Sequence, residues 1–397
     1  MDKERRPPVI AIVAGEESGD NLGADLAEAL NARLPVAPSY IGVGGARLTA
    51  LGLKSFFDMS DVSVMGLTAV LQRLPLIVKR VYQTVDGIVA ANPDILIIID
   101  SPDFTHNVAN RVRKRAPHIP IVGYVSPSVW AWRPGRARKM SRYVDDLLAL
   151  LPFEPAIHKK LGGPPTHYVG HPLSENIGDL RPAAGERPPV DGQRKTLLVL
   201  PGSRTSEISR LLDPFGETVA KVSEAVPDLE LVLPAVPHLE DKIRTGVASW
   251  TVQPSIIAGP EEKQAAFRRA HAALAASGTV SLELALAGVP MVVAYKVDWF
   301  FRRLKDLNRI FKFASVDSFV LPNIILGEKA IPEFLDDEAN PDALSAALAP
   351  LLADTPDRQR QIDAFTRLGE AMCLADGASQ RGAAADVVIK RMASGRN

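Results

Sequence analysis

The chain has little of what marks secreted, membrane-spanning or metal-dependent proteins. Among its 397 residues there is one cysteine, Cys373, which excludes an intrachain disulfide and fits a reducing compartment. Net charge is also missing: 46 basic residues balance 46 acidic ones, which argues against a protein that wraps nucleic acid by bulk electrostatics. No run approaches the ~20 clean apolar residues of a spanning helix. The longest mildly apolar region, Ala270–Tyr295, is broken by Glu283, Gly288 and Pro290. Val9–Ala14 is too short for a signal-peptide core, so no secretory leader is expected. There is no Asp-x-Asp pair to chelate a metal–diphosphate, and the seven histidines show no ligand spacing, so neither a metal nor another cofactor is expected.

What is present is an alternation of apolar runs and helical stretches, played twice. In the first half, Pro8–Ala14, Tyr40–Val43, Ile95–Ile99, Ile121–Val125, Leu147–Leu151 and Tyr168–Val169 read as strands. Asn21–Leu34 and Phe104–Arg115 carry helical periodicity between them. The pattern restarts with strands at Thr196–Leu200, Leu229–Leu233, Ile256–Ala258, Ala272–Ala275 and Met291–Ala294, and helices at Glu207–Ala225 and Val280–Ala287. Fully apolar strands separated by helices predict parallel sheets covered on both faces. The expected fold is therefore α/β, with two Rossmann-type domains facing a central cleft. The first domain is expected over residues 1–172, a Pro- and Gly-rich linker over 173–194, the second domain over 195–340, and a helical C-terminal segment over 341–397.

Three strand-to-helix turns have the small residues an anion site needs: Gly15–Asp20, Pro201–Arg204 and Ser277–Thr279. Each can present backbone N–H groups and a helix N-terminus to a phosphate, although a tight turn with a cap explains any one of them alone. Two such turns in the second half, with Glu283 one helical turn further on, make the stronger case. Gly202, Ser203, Arg204, Ser277, Gly278 and Thr279 are the candidate phosphate ligands, and a carboxylate such as Glu283 suits a ribose diol. Any developing phosphate charge would fall to cations such as Arg204 and Lys296. In the first half Asp100 closes the strand Ile95–Ile99 and is a candidate general base; Asp103, three residues on, is the better candidate for a helix cap. Glu16 and Asp20 are weaker rivals.

Acid-free stretches stand out against the neutral total. Residues 62–85 hold Arg73, Lys79 and Arg80 and no acid. Leu67, Val70, Leu71 and Leu74 form a helical stripe that Met65, Leu76 and Ile77 extend across Pro75. A core-facing helix is the default reading; an interfacial segment lying on a bilayer is the alternative. Residues 111–144 hold nine Lys or Arg and no acid, with Trp130 and Trp132 beside them, a pattern suited to an anionic lipid surface or a phosphorylated substrate.

Ten short motifs then resemble the lipid-A-disaccharide synthase family of GT-B-fold glycosyltransferases. They are Ala14-Gly-Glu-Glu-Ser-Gly-Asp20, Val64-Met-Gly66, Ile99-Asp-Ser-Pro-Asp-Phe104, Tyr124-Val-Ser-Pro-Ser-Val-Trp-Ala-Trp-Arg133, Leu151-Pro-Phe-Glu154, Val169-Gly-His-Pro172, Leu200-Pro-Gly-Ser-Arg204, Ala276-Ser-Gly-Thr279, Pro290-Met-Val-Val293 and Leu321-Pro-Asn323. The resemblance implies transfer of a diacylated glucosamine from UDP onto the 6-hydroxyl of a diacylglucosamine 1-phosphate, giving a β-1′,6 linkage and UDP. It implies that Asp100 and Arg204 are catalytic, and that Glu283 binds the donor ribose. Glu16, Ser18, Asp20, Asp103 and Asn323 are implied as further site residues. It also implies a homodimer and work at the cytoplasmic face of the inner membrane, which favours Met65, Leu67, Val70, Leu71, Leu74 and Leu76 as a membrane-docking surface. Two positions depart from the family's usual residues: Thr105 stands for Asn and Val320 for Ser. The rival enzyme is a UDP-N-acetylglucosamine 2-epimerase acting on soluble sugars, which needs no greasy face. An RNA-binding protein is disfavoured because aromatic RNA-binding motifs are missing.

Overall fold

Five consecutive branched aliphatic residues, Ile95–Ile99, have nowhere to go but the middle of a sheet, and all five are buried. The computed structural model describes residues 6–63, 67–175, 177–296, 318–374 and 377–395, and only the backbone of 67–71. The strand Ile95–Ile99 (β4) lies in a seven-stranded, all-parallel sheet with β1 (Val9–Ala14), β2 (Ser39–Val43), β3 (Lys54–Ser55), β5 (Ile121–Tyr124), β6 (Asp146–Ala149) and β7 (Thr166–Tyr168), in the order β3-β2-β1-β4-β5-β6-β7. Helices α1 (Glu17–Arg33), α2 (Leu67–Ala91), α3 (Pro102–Arg115) and α4 (Glu154–Leu161) belong to the same half.

A second all-parallel sheet runs β10-β9-β8-β11-β12-β13, from β8 (Lys195–Leu200), β9 (Leu229–Ala235), β10 (Ser255–Ala258), β11 (Ala272–Ala276), β12 (Met291–Tyr295) and β13 (Glu333–Leu335). Its helices include α5 (Thr205–Ala225), α6 (Pro260–Arg269), α7 (Thr279–Leu286), α8 (Leu321–Leu326) and α9 (Pro356–Met372); α10 (Gln380–Ser394) closes the chain. Both sheets are Rossmann-like, and each reverses strand order at one point, between β1 and β4 in the first and between β8 and β11 in the second. Doubly wound folds place ligands at the carboxyl ends of the strands flanking that reversal.

The chain divides into two compact units, one of Met1–His171 with Leu374–Asn397, the other of Pro172–Cys373. This redraws two expected boundaries. The stretch 173–194 is packed into the second unit, where Arg187 donates to the carbonyls of Gly288 at 2.6 Å and Ala287 at 2.9 Å. Proline and glycine mark irregular chain, and irregular chain can be pinned by arginine as well as left as a linker. The helical segment expected over 341–397 is split: α9 belongs to the second unit, while α10 packs on α1 of the first. Ala384, Ala385 and Val388 of α10 are fully buried in the same core as Leu26 and Leu30, and Arg391 pairs with the buried Asp146. The short edge strands β3 and β13 were not foreseen, because two or three residues leave no readable alternation.

Candidate functional site

At the reversal point of the first sheet, the ends of β1 and β4 lie side by side, Ala14 opposite Ile99. The next residue on one side is Gly15, on the other Asp100. A side chain at Gly15 would meet the Cβ and Oγ of Ser101 at 2.8 Å, so only glycine lets the two loops touch. Asp100 and Ser101 both adopt left-handed backbone, φ 49 and 42, a conformation that costs non-glycine residues energy and gathers at functional sites. Thr105, from the first turn of α3, donates its hydroxyl to the Asp100 carbonyl at 2.6 Å and so clamps the turn. The Asp100 carboxylate accepts the Ser101 amide at 2.8 Å, and among the described residues no cation is paired with it. Glu16 joins the site, its carboxylate accepting the Ser101 hydroxyl at 3.1 Å.

The other acidic candidates part company here. Asp20 is buried and accepts the amides of Gly45 at 2.7 Å, Arg47 at 3.0 Å and Leu48 at 3.3 Å. That is a helix-capping task inside the fold. Ser18 is exposed on the first turn of α1. Asp103 is 96 % exposed in its side chain and pairs with Arg136 at 3.3 Å. It caps nothing: the residue preceding α3 is Ser101, and no side chain caps that helix.

Asp100 lines a cavity of 320 Å³ together with His106, Ser126, Trp132 and Arg136. Beneath its floor lies a buried polar cluster that the sequence did not reveal. The Ser126 hydroxyl sits 2.8 Å from Nε2 of His158, which is fully buried on α4. Burial pushes the His158 ring down to about 4, so it is neutral, and its Nδ1 has no hydrogen-bond partner. Glu154, on the same helix, is pushed up to about 7, chiefly by burial, against the opposing pull of the Leu151 amide, Trp130 and Ser126. Val125, which introduces Ser126, is itself held at φ 73, a poor conformation for a β-branched residue.

The second sheet's reversal point gathers the two turns that the sequence singled out. Gly202, Ser203, Arg204, Ser277, Gly278, Thr279 and Glu283 line one cavity of 520 Å³. The two turns do not work alike. After β8, Glu207 reaches back so that its carboxylate accepts the amides of Ser203 at 3.1 Å and Arg204 at 3.3 Å, an arrangement typical of the third residue of a helix. Those N–H groups are consumed, which corrects the expectation of a free phosphate cradle there. Gly202 sits at φ 117, and a Cβ on it would meet the Glu207 carboxylate at 2.5 Å. After β11, by contrast, Gly278 enters α7 with open space around it, and the amides of Gly278, Thr279 and Val280 donate to no acceptor among the described residues. The free helix N-terminus is α7. Arg204 is 70 % exposed and touches Glu207 at 3.4 Å. The cavity's second cation is Lys263 of α6, whose ammonium is 2.5 Å from Glu283. Lys296, proposed from sequence, is not in the lining; Lys263, a lone lysine on a polar helix, gave no signal.

The sequence comparison decides the family. The model of the family described as lipid-A-disaccharide synthetase matches residues 10–382. A protein of Nitrobacter winogradskyi named lipid-A-disaccharide synthase is 51% identical over 391 residues, covering 98% of this chain and 96% of the relative. The chain belongs to the lipid-A-disaccharide synthetase family. It is accordingly a glycosyltransferase of the GT-B fold. Among solved structures, MurG from Acinetobacter baumannii has a TM-score of 0.59 at 14% identity, covering 97% of this chain and 99% of that one. A structure described as a UDP-N-acetylglucosamine 2-epimerase from Listeria monocytogenes has a TM-score of 0.60 at 14% identity, covering 98% of this chain and 96% of that one. At such identities these likenesses show the shared fold alone.

Within this family member the remaining candidates fall as follows. Asn323 is buried, and its amide is used up by Ile331, donating to the carbonyl and accepting the N–H at 2.9 Å each. Its observed task is to hold the turn before β13. On α2, Val81, Val85 and Ile88 face the core, while Leu74, Val78 and Tyr82 are 45 to 51% exposed. They recur every four residues and so form one apolar stripe. The sequence pattern carries the stripe past Pro75 along Leu76 and Ile77, which are half-buried, whereas the exposed face continues through Val78 and Tyr82. Leu76 is half-buried. Met65 lies outside the described residues, as do the side chains of Leu67, Val70 and Leu71. Among the described residues no helix is long and apolar enough to cross a membrane.

Proposed function

We propose that this chain joins UDP-2,3-diacylglucosamine to 2,3-diacylglucosamine 1-phosphate through a β-1′,6 linkage, by inverting, metal-independent transfer. The observation that carries this reading is the contrast between the two reversal points. One ends in an unpaired carboxylate beside a sugar-sized cavity; the other ends in a free helix N-terminus with cations beside it. In the proposed reaction the Asp100 carboxylate takes the proton of the acceptor 6-hydroxyl. The oxygen attacks the anomeric carbon of the donor as the bond to the diphosphate breaks, and UDP leaves with the bonding electrons. Inversion follows from a single in-line displacement. The α7 N-terminus and Arg204 stabilise the charge that grows on the diphosphate. Glu283, steadied by Lys263, accepts the ribose hydroxyls. Both carboxylates of the second cavity are already engaged, Glu207 by amides and Glu283 by Lys263, which supports assigning the leaving-group charge to cationic side chains.

The acyl chains of both substrates belong in a bilayer, and the stripe Leu74–Val78–Tyr82 supports a peripheral contact there, on the cytoplasmic face of the inner membrane. The decisive experiment incubates the purified protein with UDP-2,3-diacylglucosamine and the acylated monosaccharide 1-phosphate and follows UDP and disaccharide by mass spectrometry. Formation of both products in equal amounts is expected; UDP release without disaccharide overturns the reading. For the surface, co-sedimentation with anionic vesicles should fall for Leu74→Ser with Tyr82→Ser, and unchanged binding removes the stripe from the docking face.

A further inference from the structure

The cavity beside Asp100 has two charged members in its wall, Asp100 itself and Arg136, and transfer to a hydroxyl uses only the carboxylate. The guanidinium is placed for a different task. Its side chain is 27 % exposed, yet its ion-pair partner among the described residues is Asp103, which is 96 % exposed, at 3.3 Å. A pair whose acid stands in water is screened and lightly held. His106 lies in the same wall with Nδ1 3.1 Å from the Tyr143 hydroxyl. Burial first, then Arg136, pushes that ring down to about 4, so it is neutral and Arg136 is the wall's one cation. The volume of 320 Å³ is at the small end for ligand pockets, about 300–1,000 Å³. That volume has room for a sugar head with a small anionic substituent.

We infer that Arg136 recognises the phosphate of the acceptor sugar, so that Asp100 and Arg136 hold one sugar phosphate by its reacting hydroxyl and its anionic group. A guanidinium can meet a phosphate through two parallel N–H donors and exchanges a solvent-exposed carboxylate for a dianion. This inference rests on the acceptor assigned above.

The test crosses enzyme variant with acceptor. Wild type, Arg136→Gln and Arg136→Lys are assayed with saturating UDP-2,3-diacylglucosamine and two acceptors, 2,3-diacylglucosamine 1-phosphate and the same sugar without its phosphate. For the phosphorylated acceptor, Arg136→Gln should raise KM about tenfold or more with little change in kcat. Arg136→Lys should restore part of that loss. For the acceptor lacking phosphate, wild type should already show the raised KM, and Arg136→Gln should add nothing. An equal loss on both acceptors, or none on either, overturns the assignment. Wild type that transfers to neither acceptor instead overturns the acceptor reading itself. Thermal melts of each variant identify misfolding, and should Arg136→Gln fail to fold, Arg136→Lys and the wild-type preference between acceptors decide the matter.

Discussion

The two units carry the same strand order around their reversal points and solve the loop problem in opposite ways. At the reversal point of the second unit positive φ falls on glycines, Gly202 at 117 and Gly278 at 159, which adopt it without strain. Around the reversal point of the first unit it falls on Asp100, Ser101 and Val125, where it costs more than on glycine. The carboxylates differ in the same sense. Glu283 is neutralised by Lys263, whereas Asp100 accepts one neighbouring amide. A loop that only binds a diphosphate gains from glycine and fixed cations. A loop that presents a base, the role proposed for Asp100, must hold one side chain in one direction, and a strained backbone clamped by Thr105 suits that role.

The largest effect expected from breaking this comparison is on turnover. Asp100→Asn keeps the shape of the first loop and removes the proposed base. It should lower kcat by roughly 10²–10⁴-fold while circular dichroism and melting stay near wild type. Arg204→Ala in the second unit should cost on the order of 10²-fold. Near-normal turnover by either variant removes that residue from the mechanism.

Next in size is a pair of backbone substitutions. Gly202→Ala forces a Cβ into the Glu207 carboxylate at a positive φ, and should destabilise the protein by about 1–3 kcal/mol in denaturant titrations. Ser101→Gly should lose little or gain up to about 1 kcal/mol, because strain relief offsets one hydrogen bond to Glu16. Equal destabilisation by both would mean that the loops are not built on different principles.

The smallest effect sharpens the contrast through pH. Glu154 ionises at about 7 in the folded protein but near the ordinary 4.5 when unfolded. Between those values the native state binds the extra proton. Its contribution to stability is therefore full below about 4.5, declines as pH rises, and is lost above about 7. His158, at about 4, stays neutral over most of that window. Glu154→Gln cannot ionise, so its stability should hold between pH 5 and 8 where wild type declines, a difference on the order of 1–2 kcal/mol. Parallel pH profiles for the two proteins would show that the buried cluster does not titrate as described.

Much of this was legible in the residues. The apolar run of Ile95–Ile99 ending in Asp100 announces both a central strand and a group at its carboxyl end. That the turns holding Gly202 and Ser277-Gly278 lie near one another, with Glu283 beside them, was likewise expected, and all four residues line one cavity. Other features were not legible, for definite reasons. Asp20 and Asn323 are polar residues inside family motifs, and only their buried partners show that they cap and brace. Lys263 is separated from Glu283 by 20 positions, and His158 from Ser126 by 32; neither pair has a local pattern. The apolar stripe on α2 depends on which face of the helix meets the core, and periodicity gives the stripe's existence without its direction.

Sequence alone thus determined the alternating α/β grammar, the family and the turns at the carboxyl ends of the central strands, because these depend on local periodicity and on residue types that few others can replace. Tertiary structure alone decided which amides stay free, which carboxylate lacks a cation, and which unit claims the C-terminal helix. Those are matters of partnership between residues far apart in the chain, and hydrogen-bond capacity can be assigned only once the neighbours are in place.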